Sequence, residues 1–181
     1  FRPGMKERET IGPKNPPREA YIMKINASGE SSVAIDRTCF PNGMCLSLDG
    51  RSLIVAETFA HVLTQWDINE KGDLVNRRPF AYMGVPTDGI CLDAEGCVWV
   101  ACPYFSYGDS GGYVRVAEGG EVKQVIEIKD STKSAYACQL GGEDGRTLFL
   151  CESKVFGKDR ALGDGQIRAT KIDVPSALYS Q

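Results

Sequence analysis

The sequence has 181 residues, of which 42% are hydrophobic and 25% are charged, and it carries a formal net charge of −3. This composition is typical of a folded domain and excludes a disordered chain, and the acidic balance gives no basic patch for nucleic acid or an anionic membrane. No apolar run approaches the length of a bilayer-spanning helix, and the first residues lack a signal-peptide pattern. We therefore expect one cytoplasmic folded unit with no nucleic-acid or membrane partner.

The first part of the chain predicts a connection followed by the end of a repeat. Residues 1–19 are rich in proline, glycine and charge, which indicates a loop or connection. Two strands are predicted at residues 20–25 and 32–35, on either side of a turn at residues 26–29. We interpret residues 20–36 as the last strands of an incomplete unit.

Three longer units follow, over residues 40–84, 85–130 and 135–175. Each begins with a short apolar strand, turns on Asp-Gly or Glu-Gly, and returns through a β-branched or aromatic run, which is typical of a hairpin. The turn glycines lie 46 and then 49 positions apart, at Gly50, Gly96 and Gly145. Two more strands follow the hairpin in the first two units and one follows it in the third. Four strands in about 45 residues match one blade of a β-propeller.

Helical periodicity is weak, so we predict an all-β fold with about three and a half blades of four-stranded antiparallel sheet in residues 20–181. A propeller needs roughly four to eight blades to close its ring and to cover its apolar faces. We therefore expect N-terminal blades outside this sequence, or a second chain, to complete the ring.

Asn42 and Asp88 hold equivalent positions in successive units, immediately before the predicted innermost strand. A propeller would bring both side chains to the same end of its central channel. Their amide and carboxylate oxygens suit hard cations such as calcium, magnesium or manganese. Each residue also precedes a glycine, and Asn-Gly and Asp-Gly are common tight-turn dipeptides. A turn is therefore the alternative to a cation site.

Other candidate residues have simpler interpretations. His61 is predicted to lie in a loop, and Trp66 and Trp99 are predicted to lie in the core. The seven cysteines include no C-x-x-C pair, which favours buried reduced thiols over disulfides or a zinc site. Residues 107–112 are predicted to form a blade loop rather than a phosphate-binding loop, because no helix follows them.

An ordered series of motifs resembles the senescence marker protein-30/gluconolactonase/luciferin-regenerating enzyme family. The motifs lie in residues 40–44, 56–59, 86–96 and 140–148, and the resemblance covers about residues 20–175. It implies a six-bladed β-propeller with one divalent cation at the top of the central channel. Calcium is favoured, and magnesium, manganese and zinc are the alternatives. The resemblance also implies hydrolysis of sugar lactones and related esters.

The same resemblance implies roles for two residues. Asn42 would bind the cation through its side-chain oxygen, and Asp88 would be a second ligand and the general base. The expected function is that of a metal-dependent lactonase, in which water activated by a carboxylate attacks a polarised carbonyl. The family's glutamate ligand and substrate-binding residues have no counterpart in this sequence. The alternatives are a non-catalytic propeller that binds a ligand or a protein partner, and an inactive fragment.

Overall fold

The computed structural model describes residues 20–106, 110–154 and 163–179. In these residues thirteen strands form four antiparallel sheets, and the only helices are two 3₁₀ turns, Thr58–Ala60 and Ala177–Tyr179. The predicted all-β fold is therefore confirmed. The predicted N-terminal connection, residues 1–19, lies outside the described residues. Neither of the two described helices is long and apolar enough to cross a bilayer.

The first sheet pairs strands β1 (Ala20–Ile25) and β2 (Ser31–Thr38). Asn26 forms the turn between them, because its side-chain oxygen accepts hydrogen bonds from the backbone N–H groups of Ser28 and Glu30 at 3.1 and 2.9 Å. The predicted turn and both predicted strands are therefore present, and the second strand is longer than expected.

The second and third sheets each contain four strands in chain order. The second sheet consists of β3 (Pro41–Leu46), β4 (Ser52–Glu57), β5 (Val62–Ile68) and β6 (Leu74–Tyr82). The third sheet consists of β7 (Ile90–Leu92), β8 (Val98–Cys102), β9 (Gly112–Val116) and β10 (Val122–Glu127). The four-stranded antiparallel unit expected from the repeat is thus confirmed in both sheets.

The fourth sheet contains three described strands, β11 (Lys133–Gly141), β12 (Thr147–Lys154) and β13 (Gln166–Lys171). The chain then returns to the third sheet, where Ser176 forms a β-bridge with Asp93. The turn glycines of the three hairpins, Gly50, Gly96 and Gly145, have positive φ angles of 68°, 77° and 66°. These are the left-handed conformations that favour glycine in a tight turn.

The sheets of successive repeats pack with their innermost strands side by side, β3 against β7 and β7 against β11. One apolar cluster joins the second and third sheets through residues such as Leu63 and Val100, and another joins the third and fourth through Tyr113 and Leu150. Trp66 and Trp99 are 1% and 0% exposed, so their predicted core positions are confirmed. This arrangement of four-stranded sheets is that of propeller blades.

Buried carboxylates within the sheets are paired with arginines. The pairs are Glu57 with Arg77 at 2.7 Å, Asp93 with Arg115 at 2.6 Å, and Glu152 with Arg168 at 2.8 Å. Burial of a carboxylate without a partner costs several kcal/mol, so each arginine offsets the loss of hydration in its own sheet.

Candidate functional site

Asn42 lies in a β-bulge of β3, which corrects the prediction that it precedes the innermost strand. The register shifts between Pro41 and Met44, so one extra residue of β3 is inserted opposite β4 in the segment that holds Asn42 and Gly43. Bulges of this kind bend a strand and redirect a side chain, and they are common beside functional sites. The local geometry therefore turns Asn42 out of the regular alternation of β3.

The glycines that follow Asn42 and Asp88 permit close contact between neighbouring innermost strands. The N–H of Gly43 donates to the carbonyl of Asp88 at 3.2 Å, and the N–H of Gly89 donates to the carbonyl of Tyr136 at 2.9 Å. A Cβ atom at position 43 would lie 2.7 Å from the Cα of Gly89, and one at position 89 would lie 2.7 Å from the Cα of Ala137. Real Cβ atoms do not approach other atoms this closely. Packing between blades thus requires glycine at both positions.

The tight-turn alternative for these dipeptides is therefore wrong. Gly43 lies inside β3, Gly89 lies directly before β7, and neither has a positive φ angle. The glycines serve contacts between successive repeats rather than local turns.

The same hydrogen-bond pattern identifies Tyr136 as the third member of the series formed by Asn42 and Asp88. The carbonyl of Tyr136 accepts a hydrogen bond from Gly89, just as the carbonyl of Asp88 accepts one from Gly43. Like Asn42, Tyr136 lies at a register shift, which falls between Ala135 and Ala137 of β11. Its hydroxyl donates to the carbonyl of Lys154 at 3.2 Å. Sequence reasoning missed this residue because no Asn-Gly or Asp-Gly pair marks the position in the third repeat.

The structure brings the side chains of Asn42 and Asp88 together across the boundary between the second and third sheets. Burial raises the pKa of the Asp88 carboxyl to about 6, while hydrogen bonds from the Asn42 side chain and the backbone of Gly89 act in the opposite direction. The amide nitrogen of Asn42 also donates to the hydroxyl of Thr58 at 3.4 Å. Thr58 is 6% exposed, so this hydroxyl is a fixed neighbour of the pair.

Asp88 differs from the buried carboxylates of the sheets because no arginine or lysine in the described residues forms a salt bridge with it. A half-buried carboxylate without a positive partner is stabilised by a bound cation, which offsets its desolvation. The oxygens of Asp88 and Asn42 are also the ligand type that hard cations prefer. The pair therefore fits part of a cation site.

No group of three histidine, cysteine, aspartate or glutamate side chains within the described part of the chain could hold a metal ion. Asn42 and Asp88 would therefore supply two oxygen ligands rather than a complete set. Calcium takes six to eight oxygen ligands and magnesium takes six, so further ligands would have to come from elsewhere.

The remaining candidates lie in loops or in the core. His61 follows the 3₁₀ turn Thr58–Ala60 with a left-handed φ angle of 55°, and its carbonyl accepts from the N–H of Met83. All seven cysteines are free, and four of them are buried. In the predicted loop 107–112, residues 107–109 lie outside the described residues.

Comparison with known sequences identifies a protein family that this chain resembles. The sequence model of one protein family, the SMP-30/gluconolactonase/LRE-like region, matches residues 4–154. The 6-deoxy-6-sulfogluconolactonase of Pseudomonas putida is 28% identical over 162 residues, which are 85% of this chain and 53% of the relative. The regucalcin of Danio rerio is 30% identical over 125 residues, which are 66% of this chain and 40% of the relative. The chain thus spans about half the length of the curated relatives it matches.

Solved structures show the same fold. A luciferin-regenerating enzyme superposes with a TM-score of 0.76 at 16% identity and covers 93% of this chain and 57% of its own. A calcium-binding regucalcin from Agrobacterium tumefaciens superposes with a TM-score of 0.67 at 20% identity, over 86% of this chain and 53% of its own. The family match covers most of the sequence, and the sheets have the matching architecture. The chain belongs to the SMP-30/gluconolactonase/LRE-like family.

Proposed function

We propose that this chain supplies part of the active site of a metal-dependent lactonase, with Asn42 and Asp88 as two of its cation ligands. The observation that carries the proposal is the contact between these side chains across two blades, in which Asp88 has no basic partner among the described residues. The name of the Pseudomonas putida relative, a sulfogluconolactonase, supports a sugar lactone as the class of substrate. Related carboxylic esters are the wider class.

The chemistry assigned to this chain rests on Asp88. Its carboxylate would accept a proton from the attacking water, and a general base of this kind contributes typically about 10²–10⁴-fold to a rate. Asn42 would bind the cation through its side-chain oxygen, next to Asp88. Its amide nitrogen would donate hydrogen bonds to Asp88 and Thr58. When bound, a divalent cation supplies polarisation of the substrate carbonyl. Calcium is the first choice because a relative of this fold is a calcium-binding protein, and magnesium, manganese and zinc are the alternatives.

We also propose that residues 20–181 are part of a six-bladed ring, with blade boundaries at residues 20–36, 40–84, 85–130 and 135–175. The remaining blades would come from an N-terminal part of the same protein or from a second chain. The partial coverage of the relatives and the two-stranded first sheet support this proposal. Alternate residues of β1 have exposed apolar side chains, namely Tyr21, Met23 and Ile25. A further blade packed against the first sheet would cover them. A cytoplasmic location stays a prediction.

The direct test is hydrolysis of gluconolactone by the full-length protein before and after removal of divalent cations with EDTA. We expect hydrolysis that is lost with the cation and restored by calcium or by one of the other three ions. Hydrolysis that is unaffected by chelation would contradict the metal dependence. A protein that opens no sugar lactone or related ester with any of these ions would instead favour the non-catalytic binding module.

Replacement of Thr58 by valine tests whether the Thr58 hydroxyl holds the Asn42 side chain in position for the cation. Valine keeps the shape of the side chain but removes the hydroxyl that accepts from the Asn42 amide at 3.4 Å. Loss of such a supporting hydrogen bond weakens metal binding by roughly 10–100-fold, and we expect the lower end because this bond is long. A calorimetric titration with calcium measures the change. Thr170→Val on β13 is the matched control, and equal affinity in both variants would remove Thr58 from the site.

A further inference from the structure

Two buried cysteines lie against each other where the innermost strands of the third and fourth sheets meet. Cys91 is in β7 and Cys138 is in β11, and their sulfur atoms are 3.9 Å apart. We infer that this pair is an oxidation site, at which peroxides form a disulfide that joins two neighbouring blades. This proposal does not depend on the lactonase activity.

The backbone geometry beside the pair favours such a bond. Gly89 lets β7 approach β11 so closely that a Cβ atom there would lie 2.7 Å from the Cα of Ala137, the residue before Cys138. The N–H of Gly89 also donates to the carbonyl of Tyr136. A disulfide requires a sulfur–sulfur distance of about 2.03–2.05 Å. The sulfurs must therefore approach by about 2 Å, a change within reach of side-chain rotation between strands already held together.

The contact distinguishes this pair from the other thiols. It is the only sulfur–sulfur hydrogen bond among the described residues, whereas the buried Cys102 bonds to the carbonyl of Val100. The two sulfurs come from separate repeats, 47 positions apart, so the bond would add a covalent link between units that are otherwise joined by packing and hydrogen bonds, such as that from the hydroxyl of Tyr113 to the carbonyl of Cys151.

The burial of Cys91 and Cys138 predicts that they oxidise slowly in the native structure. Cys91 and Cys138 are 3% and 5% exposed within an apolar cluster that includes Trp99 and Leu140. The hydrogen bond shared with Cys91, together with burial, raises the pKa of the Cys138 thiol, which keeps it protonated at neutral pH. Because the thiolate is the reactive form, oxidation requires a local opening that admits both solvent and peroxide.

Hydrogen peroxide can oxidise the two thiols to a disulfide in two steps. One sulfur attacks a peroxide oxygen and breaks the O–O bond, which gives a sulfenic acid and one molecule of water. The second sulfur then attacks the sulfenic sulfur, forms the S–S bond and releases a second molecule of water. The two thiols lose two electrons and two protons in total, and the peroxide is reduced to water.

The expected consequence is a more stable link between the third and fourth sheets. Closing a loop of this length restricts the unfolded chain, and the effect corresponds to a rise in Tm of roughly 4–8 °C for a protein of about the length of the curated relatives. Treatment with dithiothreitol should reverse the shift, because it restores both thiols.

The test exposes the full-length protein to hydrogen peroxide at a low urea concentration that permits local opening. Peptide mass mapping without reductant should then show the peptides of Cys91 and Cys138 joined with the loss of two hydrogens, together with the higher Tm. Cys91→Ala and Cys138→Ala should each abolish the crosslink and the Tm shift. Cys102→Ala, which removes another buried thiol, should retain both.

Two results would overturn the inference. The first is the recovery of Cys91 and Cys138 as free thiols while other cysteines of the same sample are oxidised. The second is a crosslink between either residue and a different cysteine. If an alanine variant does not fold, the peptide map of the unmodified protein still decides between these outcomes.

Discussion

Replacement of Asp88 by asparagine is expected to lower kcat/KM for lactone hydrolysis by about 10²–10⁴-fold, the contribution typical of a positioned general base. Asparagine keeps a side-chain oxygen at the same place but cannot accept the proton of the attacking water at neutral pH. The loss should therefore appear mainly in kcat, and it should persist at saturating cation concentration.

Two controls separate catalysis from folding and from cation binding. Asp130→Asn removes a carboxylate that accepts hydrogen bonds from Thr132 within its own exposed turn, and it should leave the rate unchanged. The cation affinity of the Asp88 variant, measured in parallel, shows how much of the loss is due to weaker binding. An Asp88→Asn protein that hydrolyses the lactone at the original rate would exclude the proposed base.

Replacement of Gly43 by alanine is expected to lower the free energy of unfolding by about 3 kcal/mol, in the upper part of the usual cost of overpacking. The added Cβ would lie 2.5 Å from the nitrogen of Ile90 and 2.7 Å from the carbonyl oxygen of Asp88. Both atoms belong to backbone, so a side-chain rotation cannot relieve the contact. β3 and β7 would have to separate, and urea denaturation measures the cost.

Gly141→Ala is the matched control for this substitution. Gly141 also lies in an innermost strand, β11, but a Cβ atom there would be 3.5 Å from the ring of Phe149, which is ordinary van der Waals contact. We expect a change within about 0.5 kcal/mol for this variant. Equal effects at the two positions would show that the close approach of β3 and β7 is not what requires Gly43.

The repeat made much of the fold predictable from the sequence. Strands β5 and β9 have the predicted bounds, because β-branched and aromatic residues are frequent in each of them and turn residues limit them. The hairpin glycines Gly50, Gly96 and Gly145 were also identified correctly, since their positive φ is a local requirement.

What the sequence could not show depends on contacts between repeats. Gly43 and Gly89 look like turn glycines in isolation, and only the neighbouring strand explains them. Tyr136 joins the series of Asn42 and Asp88 through a backbone hydrogen bond, which leaves no mark in residue type. The proximity of Asn42 and Asp88 could be expected from their equivalent positions, whereas the support from Thr58 could not.

The most direct test of the proposed cation site is a calorimetric titration of the full-length protein with calcium and with manganese, repeated with Asn42→Ala and Asp88→Ala. We expect one bound cation in the unmodified protein and a loss of affinity of more than about tenfold in each variant. A protein that binds neither ion, or one whose affinity is unchanged by both substitutions, would contradict the assignment of Asn42 and Asp88 as cation ligands.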